Sequence, residues 1–141
     1  MGIVGTTELN TTTGKVLVQN ATNEVCLGYV GRVIPDKLTF NEYVGAYYTI
    51  QVVLSNGKTF QGIYDQYILT QRGKVALRDL KTNDLIICIS NVTKTKDFNI
   101  YKVNRVKIKA LHRLGKEDVY VIALEEQDKI IVNGGVVISL I

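Results

Sequence analysis

Residues 52–73 read VVLSNGKTFQGIYDQYILTQRG, and this stretch decides the fold. Two β-rich runs, 47–54 and 58–64, flank Ser55-Asn56-Gly57. An Asn-Gly pair between alternating runs is the best short-range signal for a β-hairpin, because these residues adopt the turn conformations that join two antiparallel strands. The stretch therefore predicts a hairpin near the middle of the chain.

The remainder of the chain is also a series of short β-rich runs separated by turns, without an amphipathic helix longer than about three turns. Residues 75–80 predict a short helical turn, and the polar residues 94–99 predict a flexible loop. We find no internal repeat and no linker. The pattern predicts one all-β domain, residues 1–141, of the sandwich or barrel type. The other predicted strands are 15–18, 85–89, 105–110, 119–124, 129–132 and 136–141.

Composition supports a folded β protein. Of the 141 residues, 46% are hydrophobic and 21% are charged, which is typical of globular domains of sufficient length to bury a core. Eight tyrosines, a single proline and no tryptophan favour strands. The N-terminus has no secretory signal pattern, and no apolar run is long enough to span a membrane. We therefore expect a protein that is not secreted and does not contact a membrane.

The cysteines and the histidine exclude several kinds of site. Cys26 and Cys88 lie 62 positions apart, which predicts two buried free thiols and a reducing compartment. His112 is the only histidine, so a site with two histidines is excluded, and we expect it at the surface near a strand end. The acidic turn 125–128 lacks the ligand spacing of an EF-hand loop. We expect no metal and no cofactor.

One basic segment carries the whole excess of positive charge. Residues 93–116 hold eight basic residues and one acid, a net +7, whereas the rest of the chain holds nine basic and twelve acidic residues, a net −3. Three readings remain open: solvated lysines that block pairing at a strand edge, contact with an acidic protein surface, or contact with nucleic-acid phosphates. The basic residues of this possible contact face are Arg105, Lys107, Lys109, Arg113 and Lys116.

Three blocks of the sequence resemble the hedgehog/intein (Hint) family, in particular its compact inteins. The resemblance implies an all-β Hint fold of many short strands in a pseudo-twofold arrangement, with little helix. The blocks are GIVGTTELNTTTGKVLV (2–18), the stretch quoted above with its continuation KVALRDLKTNDLIICI (74–89), and LHRLGKEDVYVIALEEQDKIIVNG (111–134).

Protein splicing in this family needs an N-terminal Cys or Ser nucleophile, a Thr and a His that activate the scissile carbonyl, and a terminal Asn that cyclises. The resemblance places inert residues at these positions: Gly2 for the nucleophile, Ile63 for the threonine and Gln66 for the histidine. An aspartate of the family corresponds to Val121, and the terminal asparagine to Ser139, or to Leu140 after a one-residue slip. Cys26 lies too close to Gln66 to replace the nucleophile. Little sequence flanks either junction, so we also expect no substrate for splicing in cis.

The sequence therefore predicts a catalytically inactive, intein-like protein rather than an enzyme. We expect a structural or protein-binding module in the cytoplasm or a virion, such as a phage decoration, collar or adaptor protein. Its partners would be other proteins or further copies of the chain, with nucleic acid a less favoured partner. Residual self-cleavage and a small basic nucleic-acid-binding β-domain are the alternatives. The tail 136–141 and the tyrosines Tyr43, Tyr47 and Tyr48 are possible interfaces, although we expect each of them to lie in the core.

Overall fold

The computed structural model describes residues 1–94 and 99–141, which form a 12-stranded antiparallel sheet. The all-β prediction is confirmed. The strand order is β3-β2-β11-β4-β5-β6-β1-β10-β9-β12-β7-β8, with further pairings that fold the sheet back on itself. The strands are β1 (Ile3–Val4), β2 (Glu8–Thr11), β3 (Gly14–Leu17), β4 (Val25–Tyr29), β5 (Val33–Leu54), β6 (Thr59–Ile63), β7 (Tyr67–Thr70), β8 (Gly73–Ala76), β9 (Leu85–Lys94), β10 (Asn99–Leu124), β11 (Lys129–Val132) and β12 (Val136–Ser139).

The predicted Asn-Gly hairpin is present as β5 and β6. Val53 pairs with Thr59, and the Gly57 N–H donates to the Leu54 carbonyl at 3.0 Å to close the turn. Gly57 has a φ of 86°, a conformation that favours glycine. The Asn56 side chain accepts a hydrogen bond from the Lys58 N–H at 3.0 Å, so both turn residues act as the sequence predicts.

Two strands are much longer than predicted. β5 has 22 residues and β10 has 26, and residues 38–54 of β5 pair with residues 108–124 of β10. The predicted strands 105–110 and 119–124 are therefore parts of one strand, and the separation between them is wrong. Register shifts occur between Ile108 and Ala110 and between Leu114 and Lys116. Such bulges bend and twist a strand without ending it, which is why the intervening polar residues do not break β10.

Two hairpins repeat one sequence pattern, so the prediction of no internal repeat is wrong. In the first, the Thr11 hydroxyl donates to the Gly14 carbonyl at 2.9 Å, and in the second the Thr70 hydroxyl donates to the Gly73 carbonyl at 2.8 Å. They lie at opposite ends of the strand order, and a 3-10 helix follows each of them. The repeat is visible in the letters TTTGKV (11–16) and TQRGKV (70–75), which are followed by the 3-10 helices Val18–Asn20 and Leu77–Asp79.

Other local predictions have mixed outcomes. The buried strand at 85–89 is confirmed as the first half of β9. Residues 75–80 are helical only at Leu77–Asp79, because their first residues belong to β8. The predicted loop 94–99 falls largely on residues 95–98, outside the described residues. Cys26 and Cys88 are both buried and free, as predicted.

The main core lies between the folded halves of the sheet and includes Leu9, Phe60, Ile86 and Ile138, none of which is more than 1% exposed. Residues 136–139 of the tail are buried, as expected, but the expectation is wrong for Ile141, which is 65% exposed. The expectation for the tyrosines is wrong: Tyr43, Tyr47 and Tyr48 are 52%, 46% and 61% exposed. They lie where β5 and β10 pair, in a part of the ribbon that is largely exposed on both strands, so side chains on either face can reach water.

An ion pair between the partly exposed Arg72 and the buried Asp84 joins the β7–β8 turn to the start of β9. The Arg72 guanidinium donates to both carboxylate oxygens of Asp84, at 2.8 and 2.9 Å, and the Lys81 N–H donates to the same carboxylate at 2.9 Å. The hydrogen bonds from Arg72 are the main reason that the pKa of Asp84 lies below its usual value. The pair ties the second repeated hairpin to the start of β9. The first hairpin has no equivalent bond, because Thr13 stands at the place of Arg72.

We expect Asp84→Asn to lower the free energy of unfolding by about 2 kcal/mol, because it removes charge-assisted hydrogen bonds from a buried group. The folded-state pKa of Asp84 is below the unfolded value of about 4, so its stabilisation is complete above about pH 5 and is lost as the pH falls through the folded pKa. Urea unfolding followed by circular dichroism at several pH values measures both effects. Asp79→Asn, at an exposed carboxylate, is the control and should change stability by less than about 0.5 kcal/mol. Equal acid sensitivity of the Asp84→Asn variant and the unaltered chain would contradict this assignment.

Candidate functional site

The turn between β6 and β7 contacts the N-terminal strand. The Ile63 N–H donates to the Gly2 carbonyl at 3.2 Å, and the Gln66 N–H donates to the Ile63 carbonyl at 3.1 Å. On the other side, the Leu77 N–H donates to the Gln66 carbonyl at 2.9 Å. These backbone bonds hold Ile63 and Gln66, which the sequence predicts at the threonine and histidine positions of the family, directly beside residue 2.

Gln66 joins this turn to the C-terminal strand. Its side chain is 1% exposed, and its amide nitrogen donates to the carbonyls of Tyr67 at 2.9 Å and Ser139 at 2.7 Å. An amide can donate these hydrogen bonds but does not take up or release a proton near neutral pH. Gln66 thus supplies the contacts of a buried donor without the acid–base chemistry of an imidazole.

Gly2 lies where no side chain fits. A Cβ atom at residue 2 would overlap the Cγ1 atom of Val119, and it would lie 3.7 Å from the Ile63 side chain. Val119 is completely buried in β10, where it pairs with Val4 on one side and Gly45 on the other, so it has little freedom to move away. The position that corresponds to the nucleophile therefore has no space for a thiol or a hydroxymethyl group in this packing.

The remaining space at this point is very small. A void of about 10 Å³ is lined by Gly2, Gln66, Val121 and Leu140, among others. A cavity of this size holds one water molecule at most. Leu140 contributes its side chain to the void, whereas Ser139 directs its hydroxyl to the Ile141 carbonyl at 2.8 Å. The structure thus brings together Gly2, Gln66 and Val121, with Ile63 and Ser139 in direct contact with them.

Two features of this site were not predicted from the sequence. Val119 fills the space beside Gly2, and the void is lined by Leu140 rather than by Ser139. Val119 lies far along the chain from residue 2, and no local pattern marks a contact between residues so distant. Asp65 is also present at the site, where its exposed carboxylate lies 3.5 Å from the α-ammonium group of Met1.

The thiols are not placed for nucleophilic chemistry. Burial, assisted by the negative charges of Glu24 and Asp36, raises the pKa of Cys26 to about 11. Burial likewise raises the pKa of Cys88 to about 11. Since the thiolate is the reactive form, both groups are protonated at neutral pH.

His112 is exposed, as predicted, but it lies within β10 rather than near its end. Among residues 1–94 and 99–141, no three His, Cys, Asp or Glu side chains are grouped in a way that could hold a metal ion. None of the described helices is long and apolar enough to cross a membrane.

The predicted basic face is exposed but is not a single flat surface. Arg105 and Lys107 alternate with Val106 and Ile108, so they share one face of β10. Lys109 lies at the first register shift and Lys116 just beyond the second. Lys116 covers the ring of Tyr48, with its ammonium nitrogen 5.3 Å from the ring centroid. The basic residues therefore divide into one group beside β9 and another on the β5–β10 ribbon.

The architecture around this site defines a class of protein: the chain has the intein-type Hint fold. The DnaB intein from Synechocystis sp. PCC 6803 superposes with a TM-score of 0.82, 14% identity, and coverage of 98% of this chain and 97% of that one. The DnaX mini-intein from Spirulina platensis gives 0.80, 15% identity, and coverage of 97% and 98%. The gp41-1 intein gives 0.79, 14% identity, and coverage of 98% of both chains. No protein-family model matches the sequence, and no curated protein matches it.

We expect Gln66→Ala to destabilise the protein by about 2 kcal/mol, because the variant leaves the Ser139 carbonyl without its side-chain donor and creates a cavity. Thermal and urea unfolding measure the effect. Asp65→Asn, one position away on an exposed side chain, is the control and should have little effect. Equal stabilities of the two variants would show that the Gln66 hydrogen bonds contribute little.

Proposed function

We propose that this chain is a Hint-fold protein that does not splice and serves as a structural or protein-binding module. The observation that carries the proposal is the contact between Gly2 and Val119, which leaves no space for a nucleophilic side chain. Splicing needs that nucleophile next to the scissile carbonyl. Here Val119 fills the space that the nucleophilic side chain would need, so the packing stabilises the fold and leaves no reactive group.

The other positions support the same proposal. Ile63 has no hydroxyl group, and Gln66 is held by two carbonyls and cannot act as a general acid. Neither Ser139 nor Leu140 has the side-chain amide that cyclises in the family. Gln66 and Leu140 line a void that holds one water molecule at most.

A protein-binding role is supported by the exposed tyrosines of the β5–β10 ribbon. Tyr43 lies edge-on to Tyr120, with ring centroids 5.5 Å apart, and its hydroxyl contacts the Asp118 carboxylate at 3.3 Å. These contacts hold a large exposed ring in one orientation. Ordered tyrosines are enriched at protein interfaces, since they bury much area with few rotatable bonds.

The setting that we propose is an assembly, and specifically a virion component such as a decoration, collar or adaptor protein. This part of the proposal rests on analogy, because Hint domains travel in mobile elements and phages. The partners would be other proteins of the assembly or further copies of the chain. Residual self-cleavage is the alternative from the enzyme class.

A fusion assay tests the absence of splicing. The chain is placed between two folded reporter domains, incubated under reducing conditions, and examined by gel electrophoresis and mass spectrometry. We expect neither cleaved nor ligated products, because no residue at the site supplies a nucleophile. Any junction-specific product from the unaltered chain would overturn the proposal.

A reconstructed variant is the matched control for that assay. It carries Gly2→Cys, Ile63→Thr, Gln66→His, Ser139→His and Leu140→Asn, with and without Val119→Ala. We expect cleavage at the N-terminal junction only when Val119 is also replaced by alanine, since the cysteine otherwise has no space. Cleavage at that junction with Val119 retained would show that the packing at residue 2 does not block a nucleophile.

The protein-binding role predicts association through the exposed tyrosines of the β5–β10 ribbon, Tyr43, Tyr47 and Tyr48. We expect the purified chain to form oligomers, or to elute with proteins of its native assembly, in size-exclusion chromatography with light scattering. Tyr43→Glu combined with Tyr48→Glu should abolish the association, while circular dichroism remains unchanged. Val30→Glu, at an exposed apolar residue in the turn between β4 and β5, is the control. A chain that stays monomeric and binds nothing from its native source would contradict this role.

A further inference from the structure

A second hydrophobic cluster lies apart from the main core. Ile87, Ile89, Ile131 and Val137 are at most 8% exposed, and partly buried residues including Leu27 pack against them. They come from β9, β11 and β12, on the sheet face opposite to Ile86, Ile130 and Ile138 of the main core, since successive side chains of a strand alternate. Antiparallel sheets usually leave one of their two faces polar. An apolar second face needs another explanation.

This second face forms the floor of an open groove of about 660 Å³. The β2–β3 turn forms its polar rim, and Lys15 is the one charged residue among the described residues that line it. The apolar floor favours an occupant with aliphatic side chains. Because no acidic side chain from the described ranges lines the groove, an occupant that carries negative charge is not repelled. The apolar lining consists of Leu27, Val33, Pro35, Ile89, Tyr101 and Ile131.

Within the part of the chain that the structure describes, the beginning of β10 has an edge with no strand partner, and Tyr101 of this segment also lines the groove. Residues 101–107 of β10 pair with β9 on one side. The pairing of β10 with β5 begins only at Ile108, and the single bond before it joins the Ser55 N–H to the Lys107 carbonyl at 2.9 Å. The outward-facing N–H and C=O groups from residue 101 to residue 105 are therefore available to a further strand, whereas the Lys107 carbonyl is already bonded to Ser55.

The same edge strand combines apolar and basic side chains on the face of the groove. Tyr101 lines the groove, and the regular pairing from residue 101 to 107 places Val103, Arg105 and Lys107 on the same face. Arg105 lies directly opposite Ile87 of the second cluster. Val103, Arg105 and Lys107 are all exposed, so no side chain of the described residues covers them.

We propose that this edge of β10, beside the face on which the groove opens, binds an extended peptide segment of another protein as an added strand. The segment would present aliphatic side chains to Tyr101 and Val103 and acidic side chains to Arg105 and Lys107. Backbone pairing supplies affinity in this kind of recognition, and alternate side chains supply specificity. The inference rests on the proposed protein-binding role and names the chemistry of the partner.

The charges explain how such an edge avoids aggregation. Basic residues on an edge strand oppose pairing with a second copy of the same basic strand. They attract an acidic strand, because opposite charges facing each other across a strand pair are stabilising. Arg105 and Lys107 thus favour the proposed partner and oppose self-association through this edge, which is separate from association through the tyrosines of β5.

A labelled peptide, Glu-Thr-Glu-Thr-Val-Thr-Val, tests the proposal by fluorescence anisotropy with the full chain. Paired antiparallel with residues 101–105, it places its valines beside Tyr101 and Val103 and one glutamate beside Arg105, and its N-terminal glutamate extends past the last backbone bond towards the Lys107 side chain. We expect saturable binding that weakens at least tenfold in the chain carrying Arg105→Glu and Lys107→Glu. The matched variant with Arg113→Glu and Lys116→Glu, on the ribbon, should bind as the unaltered chain does.

Three further probes decide between the occupants. A peptide with lysine in place of glutamate, and one with N-methyl groups on the backbone nitrogens that face β10, should both fail to bind. An oligothymidylate of single-stranded DNA should bind more weakly than the acidic peptide. Absence of peptide binding, binding that survives N-methylation, or tighter binding of the oligonucleotide would each overturn the proposal. None of these results depends on the fusion assay, so the absence of splicing and the peptide site can fail separately.

Discussion

The pairing of β5 with β10 is the interaction on which the rest of the structure depends. Residues 38–54 and 108–124 form one continuous antiparallel ribbon, and each strand also extends beyond it to pair with a hairpin partner, β4 or β9. The ribbon therefore holds the two repeated hairpins in one sheet. It also places Val119 between β1 and β5, so the packing beside Gly2 follows from the register of the two long strands. Because bulges rather than turns absorb the curvature, both strands stay unbroken across the molecule.

Local signals in the sequence predicted local structure well. The Asn-Gly turn, the strand at 85–89 and the buried thiols depend on neighbouring residues or on the general behaviour of a residue type, and all three are confirmed. The length of β10 was not predictable in this way, because its polar central residues lie on a two-stranded ribbon that water reaches from both faces. The repeated hairpins were visible in the letters, but two short matches acquire meaning only when the same hydroxyl-to-carbonyl bond appears in both.

The residues of the candidate site also divide into those that the sequence predicted and those that it did not. The resemblance to inteins located the turn 63–66 and residue 2, and the structure places them in contact. Sequence alone gave no information about Val119 or about the second hydrophobic face, since both arise from strands that meet only after the sheet has folded. The three solved inteins compared above are 14 to 15% identical to this chain, so they establish the fold and leave the chemistry to be argued from the individual side chains.

The packing at residue 2 has a consequence for how this sequence can change over generations. Any single mutation that gives residue 2 a side chain forces it against Val119, so it lowers stability before it can bring any advantage. If a smaller residue at 119 is acquired first, that change on its own leaves an empty space beside the glycine. Each order of the two steps passes through a less stable intermediate. We therefore expect a side chain at residue 2 to be difficult to regain once glycine and Val119 are both present.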